Sequence, residues 1–129
     1  MSAPTLFHII AESDWRVAKE LGEYRPAGLA NEGFIHLSKK NQILRPANLL
    51  YRGRTDLALL VIDPSSVTSD VVYEPGSHGE TEHFPHLYGP LNLDAVIGVV
   101  PFPCNASANA RERAGATGGG FDLPEGLPD

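Results

Sequence analysis

Imidazoles, a phenol and guanidiniums are the groups in this 129-residue chain best suited to chemistry near neutral pH. Leu6-Phe7-His8-Ile9-Ile10 is a short apolar run whose period of two puts Leu6, His8 and Ile10 on one face. In Gly33-Phe34-Ile35-His36-Leu37-Ser38 the same period puts His36 and Ser38 together, an imidazole beside a hydroxyl. His83-Phe84-Pro85-His86-Leu87-Tyr88-Gly89-Pro90 gathers imidazole, phenol and turn residues in one stretch. There Tyr88 offers a flat apolar face with a hydroxyl handle, and His86 a donor, an acceptor or a proton carrier. His8, His36 and His86 are the candidate catalytic residues. The plain alternative for each is a hydrogen-bonded core histidine, and for the last stretch it is core-edge packing closed by a Gly89-Pro90 turn.

Arginines supply the complementary charge. Tyr51-Arg52-Gly53-Arg54 puts two guanidiniums at a helix end, and Arg25 follows Tyr24 in a loop. They either complement a helix dipole or converge with the imidazoles as a bidentate clamp for phosphate. Three imidazoles also suit a catalytic zinc, but His83 and His86 fall on opposite faces of an extended segment and there is no H-E-x-x-H. No metal ligand is assigned on that basis, and a metal-dependent hydrolase is the least favoured reading. Ser38 lacks a G-x-S-x-G elbow, and Cys104 has no local histidine. Gly115-Ala116-Thr117-Gly118-Gly119-Gly120 lacks the Lys-Ser/Thr of a phosphate loop.

The elements that must hold these groups follow from periodicity. Leu6 to Ile10 reads as a buried first strand, and Ser13 as the N-cap of a helix closed by Gly22. Pro26, Gly28, Asn31 and Gly33 mark a loop into a strand over 34–38. A helix from Lys39 to about Arg52 carries Pro46, which predicts a kink or break near Arg45. Leu57 to Ile62 is a continuous apolar strand, central and buried on both faces; Val71 to Glu74 is a short strand; Ala95 to Val100 is another buried strand. The domain spans 1–104, and the Gly- and Pro-rich remainder, 105–129, reads as a mobile tail.

Composition sets outer bounds. With 16 Asp+Glu against 10 Lys+Arg and 42% hydrophobic residues, the chain is an acidic, single-domain globular protein, not a general nucleic-acid binder. Its charge is uneven: residues 1–54 hold eight basic and five acidic side chains, and residues 55–104 hold seven acidic and no basic ones. A small anionic ligand therefore has a basic corner available. One cysteine forms no internal bridge, which makes a reducing, cytoplasmic setting the default. Neither a signal peptide nor a membrane-spanning run is expected.

Taken in order, Phe7-His8-Ile9, Asp14-Trp15, Gly22-Glu23-Tyr24-Arg25, Glu32 through Ser38, Tyr51 through Leu57 and Phe84 through Val96 resemble the DUF952 family over roughly residues 6–101. Members of that family, a domain of unknown function, look like small α+β domains related to the ADP-ribosylation fold, a split, mostly antiparallel sheet with two main helices around an NAD-holding cleft. The resemblance implies that His8 contacts a ribose, that Ser38 or His36 supports it, and that Tyr24 or Tyr88 stacks on nicotinamide. A catalytic Glu has no obvious counterpart; Glu32, before the His36 strand, and Glu82, before His83, are the candidates to approach the cleft, and His86 is the alternative at the late position. The expected function is binding of NAD or another phosphorylated, ADP-ribose-like small molecule by His8, His36, His86, Arg25, Glu32, Ser38, Arg52, Arg54 and Tyr88, with ADP-ribosyl transfer as the associated activity. The alternative is a non-catalytic ligand-binding or interaction module.

Overall fold

The structure, a computed structural model, describes residues 4–76, 81–103 and 121–128. Its frame is a three-stranded antiparallel sheet in the order β1 (Leu6–Ala11), β4 (Leu57–Ile62), β8 (Val96–Pro101). β4 lies at the centre and all six of its residues are buried, as its unbroken apolar run requires. Ala58, Leu60 and Ile62 enter one core, and Leu57, Leu59 and Val61 the other. Each fully buried Leu or Ile on β4 contributes about 1.5–3 kcal/mol, so both sides of this strand anchor the fold. β1 obeys the same alternation: Leu6 and Ile10 join the first core, on the face that also carries His8, and Phe7 joins the second.

A second antiparallel sheet has the order β3 (Ile35–His36), β6 (His83–Tyr88), β5 (Asp70–Pro75). Ile35 and Leu87 turn inward and share the first core with β1 and β4. Phe84 and His86 lie on the opposite face of β6. The two sheets are stitched where Phe7 and Ser38 exchange two backbone hydrogen bonds of 2.8 Å. A small pair, β2 (Glu23–Tyr24) with β7 (Leu91–Asn92), completes the mixed α+β architecture.

Helix α1 (Glu12–Leu21) packs Ala18 and Trp15 on the first core, and α3 (Leu44–Leu50) packs Ala47 on the second. Gly22 ends α1 at φ 86°, a left-handed C-terminal position that glycine takes without Cβ strain. The helix starts earlier than the expected Ser13 cap: Ala11 is the N-cap and makes no side-chain capping bond. The loop expected before β3 contains a third helix, α2 (Ala27–Glu32), bounded by Pro26 and by Gly33 at φ 87°. Residues 39–52 do not form one helix. A 3-10 turn at Lys40–Gln42 precedes α3, and Pro46 falls in the first turn of α3, where its missing N–H costs no intrahelical bond.

Two further expectations are corrected. β8 is an edge strand with Ile97 61% exposed, not the buried strand expected over 95–100. Residues 121–128, read as part of a mobile tail, return to the second core. Phe121 stacks on Phe102 with ring centroids 4.8 Å apart, and Leu127 is buried beside them. The Phe121 N–H donates to Asn48 and Lys40 Nζ donates to the Leu127 carbonyl, each at 2.9 Å. Isolated apolar residues among glycines carry no periodicity, yet a receptive core can still bury them. Cys104 and the 115–120 glycine stretch lie outside the described residues.

Candidate functional site

The stitch between the sheets positions the histidines. His8 follows Phe7 and His36 precedes Ser38 by two, so the backbone bridge brings the His8 ring beneath β3. The His8 Nδ1–H donates to the His36 carbonyl at 2.6 Å. That fixes Nε2 as an acceptor, and the Tyr24 hydroxyl donates to it at 3.0 Å. Burial lowers the His8 pKa to about 4, and nearby His36 adds to the drop against the opposing backbone hydrogen bond. Tyr24 is pushed well above the usual phenol range, chiefly by burial and further by Asp14. His8 is therefore neutral at pH 7 with both nitrogens engaged.

His36 lies at the rim. Its Nε2–H donates to Glu32 Oε1 at 3.0 Å, an i,i+4 pair made possible by α2 ending one residue before Gly33. His86 is the opposite case, 3% exposed in the middle of β6. Its Nδ1–H donates to Glu74 Oε1 at 2.8 Å, and the same oxygen accepts the Tyr88 hydroxyl at 2.6 Å. Those bonds, Tyr88's first, hold the Glu74 carboxyl below the usual carboxylate range, and Glu74 raises Tyr88 in turn. Phe34 stacks on the His86 ring, with centroids 4.1 Å apart and planes 14° from parallel. His86 Nε2 is buried with no hydrogen-bond partner among the described residues. Leaving such an atom unpaired costs about 1–3 kcal/mol, an energy that a ligand donor would recover.

Two adjoining recesses open on this cluster. One, of about 140 Å³, is walled by His8, His36, Ser38, Tyr51, Phe84 and His86 among others. The second, of about 250 Å³, shares His8, His36 and Tyr51 and extends past Tyr24, Phe34 and Arg54. His8, His36, Ser38 and His86 thus meet at one cleft, as their strand positions suggested, with Glu32 bonded at its rim. Tyr88 is 40% exposed and reaches the cluster through Glu74 and Phe34, whose ring centroid is 5.3 Å away.

The arginines do not form the expected clamp. Arg25 and Arg52 line neither recess. Arg25 donates to Glu23 at 3.0 Å, and Arg54, beside the second recess, is held bidentately by Asp56 at 2.9 and 2.6 Å. Acidic neighbours two residues away in sequence, Glu23 for Arg25 and Asp56 for Arg54, claim these guanidiniums. Glu74 and Phe34 escaped sequence reasoning, because the diagonal contact of Glu74 with His86 exists only once β5 and β6 pair with Glu74 opposite Phe84. Among the described residues no group of three or more His, Cys, Asp or Glu side chains is placed to hold a metal ion.

Comparison with known proteins decides the family. The model of the family described as "Protein of unknown function (DUF952)" matches residues 9–99. The chain belongs to the DUF952 family. Its fold is similar to the crystal structure of protein CC0527 from Caulobacter crescentus, at 27% identity and a TM-score of 0.73, with 92% of this chain and 94% of that chain covered. A double-mutant crystal form of CC0527 gives the same figures. Its solution NMR structure gives 28% identity and a TM-score of 0.69, covering 85% of this chain and 97% of that one. A comparison with curated proteins finds no match. A shared DUF952 fold brings no ligand with it, so chemistry has to come from the side chains. No helix among the described residues is long and apolar enough to cross a membrane.

Proposed function

We propose that the cleft between the two sheets binds NAD or a related ADP-ribose-containing small molecule, with the ligand's base and ribose end placed between His8, His36, Ser38 and His86. The observation that carries this reading is the buried, unpartnered Nε2 of His86, a residue that lines one recess together with His8, His36 and Ser38. An unpaired buried acceptor is retained at a cost, and occupation by a ligand group is the simplest return for it. Phe34, Tyr51 and Phe84 supply apolar and aromatic walls suited to a flat ring, and the adjoining recess extends the cleft past Tyr24 and Arg54. Without a guanidinium clamp, recognition concentrates on the ring and sugar, and the phosphates lie toward solvent.

A binding role without turnover is the second reading, and the engagement of His8 favours it. Both its nitrogens are committed inside the protein and it stays neutral, so it orients a ligand without carrying a proton. Glu32 and Glu74 are likewise bonded to imidazoles, which leaves neither as an unengaged carboxylate for the positive charge of glycosidic bond cleavage.

The test is titration of the protein with NAD and with ADP-ribose, followed by amide and histidine ring NMR shifts. Saturable perturbation centred on His36, Ser38 and His86 is expected, weakened by His36→Ala without loss of folding. Unchanged spectra with both nucleotides at millimolar concentration would refute the reading. Release of nicotinamide on the same sample separates an ADP-ribosyl transferase from a binding module.

A further inference from the structure

Glu74 stands on an edge strand with its side chain 35% exposed, yet its Oε1 receives both the His86 Nδ1–H and the Tyr88 hydroxyl. An ionised carboxylate has acceptors only, so the imidazole nitrogen facing it must carry the proton. In the neutral ring the other nitrogen, Nε2, is then a bare acceptor. The ring has little freedom to turn over, because it is buried and stacked on Phe34 at 4.1 Å. Nε2 meets no donor among the described residues.

We propose that Glu74 is a positioning residue that fixes His86 as a hydrogen-bond acceptor, so that the cleft selects ligands presenting a neutral N–H donor, such as an aromatic primary carboxamide, over the matching carboxylate. The inference rests on the cleft being the ligand site and adds the class of group it accepts. A carboxylate oxygen would oppose the Nε2 lone pair and lie one ring's width from the negative charge of Glu74. An amide N–H would pair with that lone pair, and the Glu74 charge would strengthen the bond through the polarised imidazole.

Benzamide and benzoate are matched probes, titrated into the full chain with His86 ring nitrogen shifts as readout. In the wild type, Nε2 is expected to resonate as an unprotonated nitrogen, with benzamide preferred on the order of tenfold, the scale of one hydrogen bond. Glu74→Leu removes the acceptor, so the Nε2–H tautomer should appear and the preference fall to within about twofold. Glu74→Gln keeps an amide oxygen for Nδ1–H and should retain both tautomer and preference, which a merely structural role for Glu74 would not require. Dispersed amide spectra of both variants establish folding, and the wild-type tautomer tests the proposal even if Glu74→Leu unfolds. A protonated Nε2 in the wild type, equal affinities for the probes, or an unchanged preference in a folded Glu74→Leu would each overturn it. If NAD shifts the cleft and neither probe does, the donor selection fails and the ligand site stands. If nothing shifts it, the ligand site falls as well.

Discussion

His8 turns the fold into a pH-sensitive one, and the size of the effect follows from its two environments. In the folded chain burial brings its pKa to about 4, against 6.5 in an open chain. The unfolded state therefore takes up a proton below pH 6.5 that the folded state refuses until about pH 4, and stability must fall as pH is lowered through that window. Above 6.5 both states are neutral at His8 and its contribution is complete. Linkage makes the loss from pH 7 to pH 4 about 3 kcal/mol, a large share of the stability of a domain this size. The assay is urea unfolding at a series of pH values for the wild type and for His8→Asn. The Asn amide still donates to the His36 carbonyl but does not titrate. The wild-type curve should bend down below pH 6.5 relative to the variant, by about 3 kcal/mol at pH 4. Carboxylates such as Glu74 titrate in both proteins and cancel in the difference. Parallel curves, or an NMR midpoint for His8 near 6.5, would refute the assignment of His8 as a half-buried, neutral residue.

Phe121→Ala should cost about 3–5 kcal/mol in the same unfolding assay, because Phe121 is only 3% exposed and stacked on Phe102; a cost below about 1 kcal/mol would mean that residues 121–128 do not dock. Gly89→Ala should destabilise by about 1–3 kcal/mol, since the backbone there has φ 154° and a Cβ would meet the Ser69 side chain, 2.8 Å from its Cβ; thermal denaturation unchanged within a degree would contradict this. Arg25→Ala should leave NAD affinity, measured calorimetrically, within about twofold, because Arg25 pairs with Glu23 and lines neither recess; a tenfold loss would restore the phosphate clamp.

Much of the frame is legible in the residues. The run Leu57 to Ile62 reads as a strand buried on both faces and is one, and the parity of Leu6, His8 and Ile10 placed an imidazole on a core-facing side. Segments whose structure depends on partners far along the chain were not legible. Pro85 argues against a central strand, yet it sits in β6 between β3 and β5. Its carbonyl accepts from Leu37 N–H at 2.9 Å, so its nitrogen faces the same edge, just past the end of β3 at His36. α2 is short enough for two breakers to hide it, but its last residue puts Glu32 within reach of His36. The arginine clamp failed for a related reason. Sequence lists the charges, and local acidic neighbours claim them before a distant strand can.

The three imidazoles carry one side-chain chemistry into three different states, and neighbours decide which. His8 has a carbonyl and a phenol, so it is saturated and belongs to the frame. His36 has Glu32 at the rim, where solvent and a ligand can compete for it. His86 has a carboxylate on one nitrogen and nothing on the other. Substitution should therefore separate them by phenotype. Loss of His8 should register in the pH dependence of folding, and loss of His36 in affinity with little change in stability. Replacing His86 by Phe removes the unpaired nitrogen from a buried stack together with the Nδ1–H bond to Glu74, so it should abolish binding at a net cost of no more than about 1–2 kcal/mol. A cost beyond about 3 kcal/mol, more than the Glu74 bond alone contributes, would mean that Nε2 is satisfied within the protein, and the case for a ligand at this atom would go with it.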